Sequence, residues 1–140
     1  MSTINMQTLS AAALLLALNA SAYADDLAGE WKNANPQGGL TRVVVTNDAK
    51  ADTWKIQAWG ECLPTDCDWG TIDLQVLGDA VTRKPIKYGF AHWAPSFADK
   101  FMTLRIEKGM LLVEVFTIFK DGRANFLSTA KMERLKAKAP

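Results

Sequence analysis

Thr53-Trp54-Lys55-Ile56-Gln57-Ala58-Trp59-Gly60 alternates residue by residue, and Gly70-Thr71-Ile72-Asp73-Leu74-Gln75-Val76 does the same. In the first run Trp54, Ile56 and Ala58 share one face, and Lys55, Gln57 and Trp59 share the other. In the second, Ile72, Leu74 and Val76 oppose Thr71, Asp73 and Gln75. Successive side chains of a strand point to opposite faces, so this period of two marks half-buried β-structure. Between the runs stands Glu61-Cys62-Leu63-Pro64-Thr65-Asp66-Cys67-Asp68-Trp69, which reads as a tight loop held between two strands.

The same pattern extends outward in both directions, with turn signals about every ten residues. Residues 27–33 and 40–46 are candidate strands, separated by Asn35-Pro36-Gln37-Gly38-Gly39; Val43-Val44-Val45 is strongly β-prone. Gly78-Asp79 turns the chain. Residues 80–90 form a weaker run, because Pro85 interrupts it. Residues 91–99 read as a second loop, carrying His92, Trp93 and Pro95. Residues 101–107, 110–119 and 123–132 complete the set, with Lys108-Gly109 and Asp121-Gly122 as hairpin turns. Helical periodicity is sustained nowhere after residue 24. About eight short antiparallel strands in up-and-down order must hide their edges, and closure into a barrel does so. The expected fold is all-β, an eight-stranded barrel; a two-sheet β-sandwich is the alternative. Such a barrel is filled by side chains or holds one small ligand. A hollow apolar interior would favour a small ligand, and a filled one would move binding to the loops and a protein partner.

The chain ends and the composition bound the setting. The first 24 residues carry no charged side chain, 9–20 is an apolar run, and Ala22-Tyr23-Ala24 supplies small residues for a signal peptidase. Residues 1–24 therefore read as a signal peptide cleaved before Asp25, with a retained anchor as the alternative. Residues 25–140 form one domain, of which 131–140 is a basic, frayed tail. Lys and Arg number 16 against 15 Asp and Glu, a net charge of +1 that gives no nucleic-acid footprint. An exported chain with two cysteines implies a Cys62–Cys67 disulfide, and the expected location is the periplasm or the exterior. Several strands are too short, and their second faces too polar, for an outer-membrane barrel. No membrane insertion is expected after signal cleavage.

Gly29-Glu30-Trp31 at the start of the first strand resembles the Gly-x-Trp opening of lipocalins, avidins and small bacterial metalloprotease inhibitors of the same barrel type. That resemblance implies a Trp31 packed at the closed barrel end beneath a basic residue of the last strand, Arg134 or alternatively Lys131. No biotin site transfers, because the avidin ligand set has no residue-by-residue match. The longer pattern Trp59-Gly60-x-Cys62-x-Pro64-x-x-Cys67-Asp68-Trp69-Gly70 resembles a group of small secreted bacterial proteins and carries no activity with it.

Catalytic chemistry finds few residues to use. His92 is the single histidine, and no Gly-x-Ser-x-Gly is present. Asp66 and Asp68 fit turn-capping roles, bonding backbone N–H groups. A calcium site built on them lacks the other ligands of an EF-hand loop, and too few Cys and His are present for zinc. No cofactor or metal is expected. The expected function is a non-enzymatic binding module. Its contacts are Trp59, Leu63, Pro64, Thr65, Asp66, Trp69, His92 and Trp93, because a rim tryptophan offers a large rigid surface with one N–H donor. The same indoles would otherwise pack over the disulfide. The partner is a small apolar or sugar-like ligand, or an extracytoplasmic protein. A protease inhibitor and a hydrolase using the loop carboxylates with His92 are the alternatives.

Overall fold

A computed structural model describes residues 27–35, 39–81 and 86–136. The signal-peptide reading, the turn centred on Pro36, Pro85 and residues 137–140 lie outside them; residues 131–134 of the expected frayed tail instead end the last strand, with Met132 fully buried. The described chain forms β1 (Gly29–Asn33), β2 (Leu40–Asp48), β3 (Thr53–Gly60), β4 (Cys67–Asp73), β5 (Gln75–Gly78), β6 (Ile86–Trp93), β7 (Ala98–Glu107), β8 (Met110–Phe119) and β9 (Phe126–Arg134). The strand order is β4-β3-β2-β1-β9-β8-β7-β6-β5, with every pairing antiparallel. This is a nearly closed up-and-down barrel.

The count of nine against an expected eight has a local cause. Residues 67–78 form one run bent at Leu74. Above the bend β4 pairs with β3, and below it β5 pairs with β6. One segment therefore serves both neighbours and almost seals the cylinder. Leu74 is buried and its N–H donates to the Trp54 carbonyl at 2.9 Å. Gly89 on β6 makes room for it, since a Cβ there would come within 3.0 Å of Leu74 Cδ1 and 3.2 Å of Leu104 Cδ1. On the other side of the bend β4 and β6 part, and a seam opens toward one end.

Strand 86–93 also runs further than the sequence suggests. Ala91 and Trp93 point inward and are buried, while His92 faces outward. The expected loop over 91–99 shrinks to 94–97. The alternation that defines a strand continues through Trp93, and only Pro95 stops it.

Inside, one continuous cluster fills the barrel, including Trp31, Val43, Ile56, Met102, Leu111 and Met132, each fully buried. Close packing of this kind leaves no room for a ligand at mid-barrel. At the closed end a basic residue of β9 covers Trp31. The Arg134 guanidinium lies 4.1 Å from the Trp31 ring centroid and donates to the Ala28 carbonyl. Trp31 Nε1–H donates to the Leu27 carbonyl at 3.0 Å. Gly29 sits at φ +144°, and a Cβ there would come within 2.5 Å of Arg134 Nη1. Glycine is therefore required beneath the arginine. The opposite end, where β3, β6 and β8 finish, is the mouth.

Candidate functional site

The two loops singled out in the sequence meet at the mouth. Cys62 and Cys67 form the disulfide, with Cα atoms 5.4 Å apart, and brace the turn between β3 and β4. Just after it the β3–β4 register slips between Gln57 and Trp59. The extra residue on β4 forms a bulge in which Gly70 sits at φ +87°, a conformation costly for other residues. Asp68 fastens the bulge by accepting from the Gly70 N–H at 2.8 Å and from Gln57 Nε2 at 2.9 Å. The Gln57 bond, then the Gly70 bond, hold its carboxyl below the ordinary value.

The bulge turns Trp69 toward the barrel axis. It meets Trp93 edge to face, with centroids 5.7 Å apart and planes at 79°, the geometry that aromatic quadrupoles favour. Trp93 Nε1–H donates across the seam to the Gly70 carbonyl at 3.0 Å. Gly60 lies flat beneath Trp69, where a Cβ would stand 3.0 Å from Nε1 and 3.1 Å from Cζ2. The ring therefore has one place to go. The wall formed by these indoles, with Ile72, Pro95 and Phe97, encloses a cleft of about 680 Å³ opening at the rim.

Lys100 forms the cationic part of this cleft. It is the cross-strand partner of the inward-facing Trp93 and shares the inward face of β7 with Ala98 and Met102. Its Nζ lies 4.6 Å from the Trp69 centroid, a cation–π contact. Burial, then the nearby positive charge of Arg123, push its pKa below the ordinary lysine value.

The predicted site residues divide into groups. Trp69, Trp93, His92 and the two cysteines line the cleft, and Trp93 is also core. Trp59 stands on the outer wall, where the Arg42 guanidinium covers it at 4.5 Å. Leu63, Pro64, Thr65 and Asp66 project from the rim, with Leu63 93% exposed. Asp66 accepts from the Thr41 hydroxyl at 2.8 Å and so ties the loop to β2 instead of capping it. His92 stacks on Phe101 at 4.4 Å and 13°, and its Nε2 lies 2.9 Å from Asp99, not near Asp66 or Asp68. Among the described residues no hydroxyl or thiol hydrogen-bonds to His92, and no three His, Cys, Asp or Glu side chains gather as metal ligands. Sequence reasoning missed Lys100, Phe97 and the clearance at Gly60. Lys100 had a usable signal: it continues the Met102, Leu104, Ile106 face by one step.

A scan against protein-family models, a search of curated proteins and a search of solved structures each found no match.

Proposed function

We propose that the protein is an exported, non-enzymatic binding module whose site is the mouth cleft. The observation that carries this reading is the right-angled Trp69–Trp93 pair walling a concavity of about 680 Å³ above a filled core. That volume suits one small ligand. The filled core removes mid-barrel binding, while the cleft offers a concave apolar site that neither simple alternative anticipated. The wall is rigid: the disulfide, the Gly70 bulge and the Trp93–Gly70 bond hold it in place before any ligand arrives, which reduces the ordering cost of binding. The disulfide is consistent with an oxidising compartment. The test is a titration of ¹⁵N-labelled protein with 2-naphthol, as a flat apolar probe, and with methyl β-glucoside, as a sugar. Binding of either should move the indole N–H resonances of Trp69 and Trp93. Unchanged indole signals with both compounds at millimolar concentration would remove the reading.

A second reading rests on Leu63. A side chain 93% exposed at the tip of a disulfide-braced loop is an available anchor for a protein partner, a protease cleft included. The N-terminal segment that barrel-type inhibitors insert lies outside the described residues. A panel of metallo- and serine proteases assayed with the wild type and Leu63→Asp separates this reading: inhibition lost in the variant supports it, and no inhibition by the wild type at micromolar concentration ends its inhibitor form.

A further inference from the structure

Lys100 is an expensive residue where it stands. An ammonium on the inward face of a barrel strand loses hydration, and nature usually compensates with a carboxylate. Here the compensation is only the face of Trp69. Among the described residues no carboxylate lies within ion-pair distance of Lys100. The other charges about the cleft are already committed or stand in water. Asp68 is bound to Gln57 and Gly70, His92 to Asp99, and Arg123 to both oxygens of Asp121; Glu61 is exposed at the rim.

Beside Lys100 a second polar group waits unpaired. Thr117 is its partner in the β7–β8 register and points inward with it. Thr117 is 1% exposed, and its hydroxyl has no hydrogen-bond partner among the described residues. A buried hydroxyl without a partner carries a desolvation cost that valine, of nearly the same shape, would avoid. A cation met only by a ring face and a buried hydroxyl without a partner, both among the described residues, are therefore register neighbours on one inward face; Lys100 lines the aromatic-walled cleft, and Thr117 is buried beyond its lining. Lys100, with no carboxylate partner among the described residues and two indoles beside it, makes a place for an acid group with an apolar ring attached.

We propose that the cleft takes a small aromatic anion, such as an aromatic carboxylate, with its ring against Trp69 and Trp93 and its acid group on Lys100. This deepens the mouth-cleft reading and rests on it. Lys100 sets the preference for charge, and the indoles supply the contact area. The two rim carboxylates, Glu61 and Asp68, disfavour an anion that stays at the surface, so the acid group must enter first.

The experiment is a titration of ¹⁵N-labelled protein with 2-naphthoate, 2-naphthol and 2-naphthylmethylammonium at one ionic strength near neutral pH. The expected order is naphthoate tightest, by about tenfold over naphthol, with the ammonium weakest and the Trp69 and Trp93 indole signals moving throughout. Lys100→Met should bring naphthoate down to the affinity of naphthol, and Lys100→Arg should keep the preference. Thermal melting confirms that each variant folds, and the wild-type ligand order decides the matter alone if one does not. Equal binding of naphthoate and naphthol by the wild type would overturn the anion preference while leaving the cleft reading intact, and so would a preference that survives in Lys100→Met. Tightest binding of the ammonium overturns it in favour of the rim carboxylates. If none of the three moves the indole signals, the cleft reading itself fails.

Discussion

Replacing Arg134 with alanine should be among the more damaging single changes to this barrel. Its guanidinium lies 4.1 Å from the centroid of a fully buried Trp31 and donates to the Ala28 carbonyl. A desolvated cation–π contact is worth about 2 kcal/mol, and a hydrogen bond from a charged donor about 1.5–3 kcal/mol. The two share one group and do not add fully, so Arg134→Ala should cost about 3–4 kcal/mol, a large part of a total near 5–15 kcal/mol. With a urea slope of roughly 1.5 kcal/mol/M for a domain of this size, the midpoint should fall by about 2 M. Arg134→Lys keeps the charge but not the planar stacking, and should lose roughly half as much. Gly29→Ala tests the same joint from the other side, because its Cβ would meet Nη1 at 2.5 Å. It should cost less in the Arg134→Ala background than in the wild type, with a coupling of about 1 kcal/mol or more. Some damage remains in both backgrounds, since φ is +144° there. A loss below about 1 kcal/mol for Arg134→Ala, or strictly additive effects of the two changes, would refute the account of the closed end.

Four further outcomes follow from the geometry. The double change Cys62→Ser and Cys67→Ser opens a very small ring and should cost about 2 kcal/mol in urea unfolding, while weakening binding at the mouth more than it weakens folding. Gly60→Ala pushes against the Trp69 ring and should cost about 1 kcal/mol; the exciton couplet of the Trp69–Trp93 pair in far-ultraviolet circular dichroism should shrink or invert, and an unchanged couplet would show that the ring is free to move. Thr117→Val removes a buried hydroxyl without a partner among the described residues, and should raise stability by roughly 1 kcal/mol in the free protein. Asp99 has its carboxyl held below the ordinary 3.8, first by the His92 hydrogen bond. A depressed carboxyl contributes stability above that ordinary value and loses it as pH falls through the lower folded value. The gap in melting temperature between wild type and His92→Ala should therefore close as the pH drops below 3.8, and a gap constant down to the acid limit would contradict the pairing.

Much of the fold was legible because a half-buried strand writes its two faces into alternate residues. Trp54, Ile56 and Ala58 all point inward, and Trp59 points out. The reading fell short at three places, and only at Trp69 because the alternation itself breaks. Leu74 keeps its inward phase, yet the strand bends there because β3 and β6 claim opposite ends of one segment. Trp93 looked like a loop residue beside Pro95, but its indole is drawn inward by Trp69 and by the Gly70 carbonyl across the seam. Trp69 shares a bulge with Gly70, and a bulge reverses the phase that alternation would assign.

From the order of its residues alone, this chain declares an all-β barrel and a clamped loop at one end, because those features depend on local period and on residues of rare type; the basic residue over Trp31 was implied only by the resemblance to Gly-x-Trp barrels. Only the tertiary arrangement decides that the barrel is filled, that Trp69 and Trp93 meet at right angles, and that Lys100, held against the Trp69 face, is the register neighbour of a Thr117 hydroxyl without a hydrogen-bond partner among the described residues. Those facts come from strands distant in sequence closing on one another, and side-chain neighbours across a barrel are set by register and bulges that no single strand encodes.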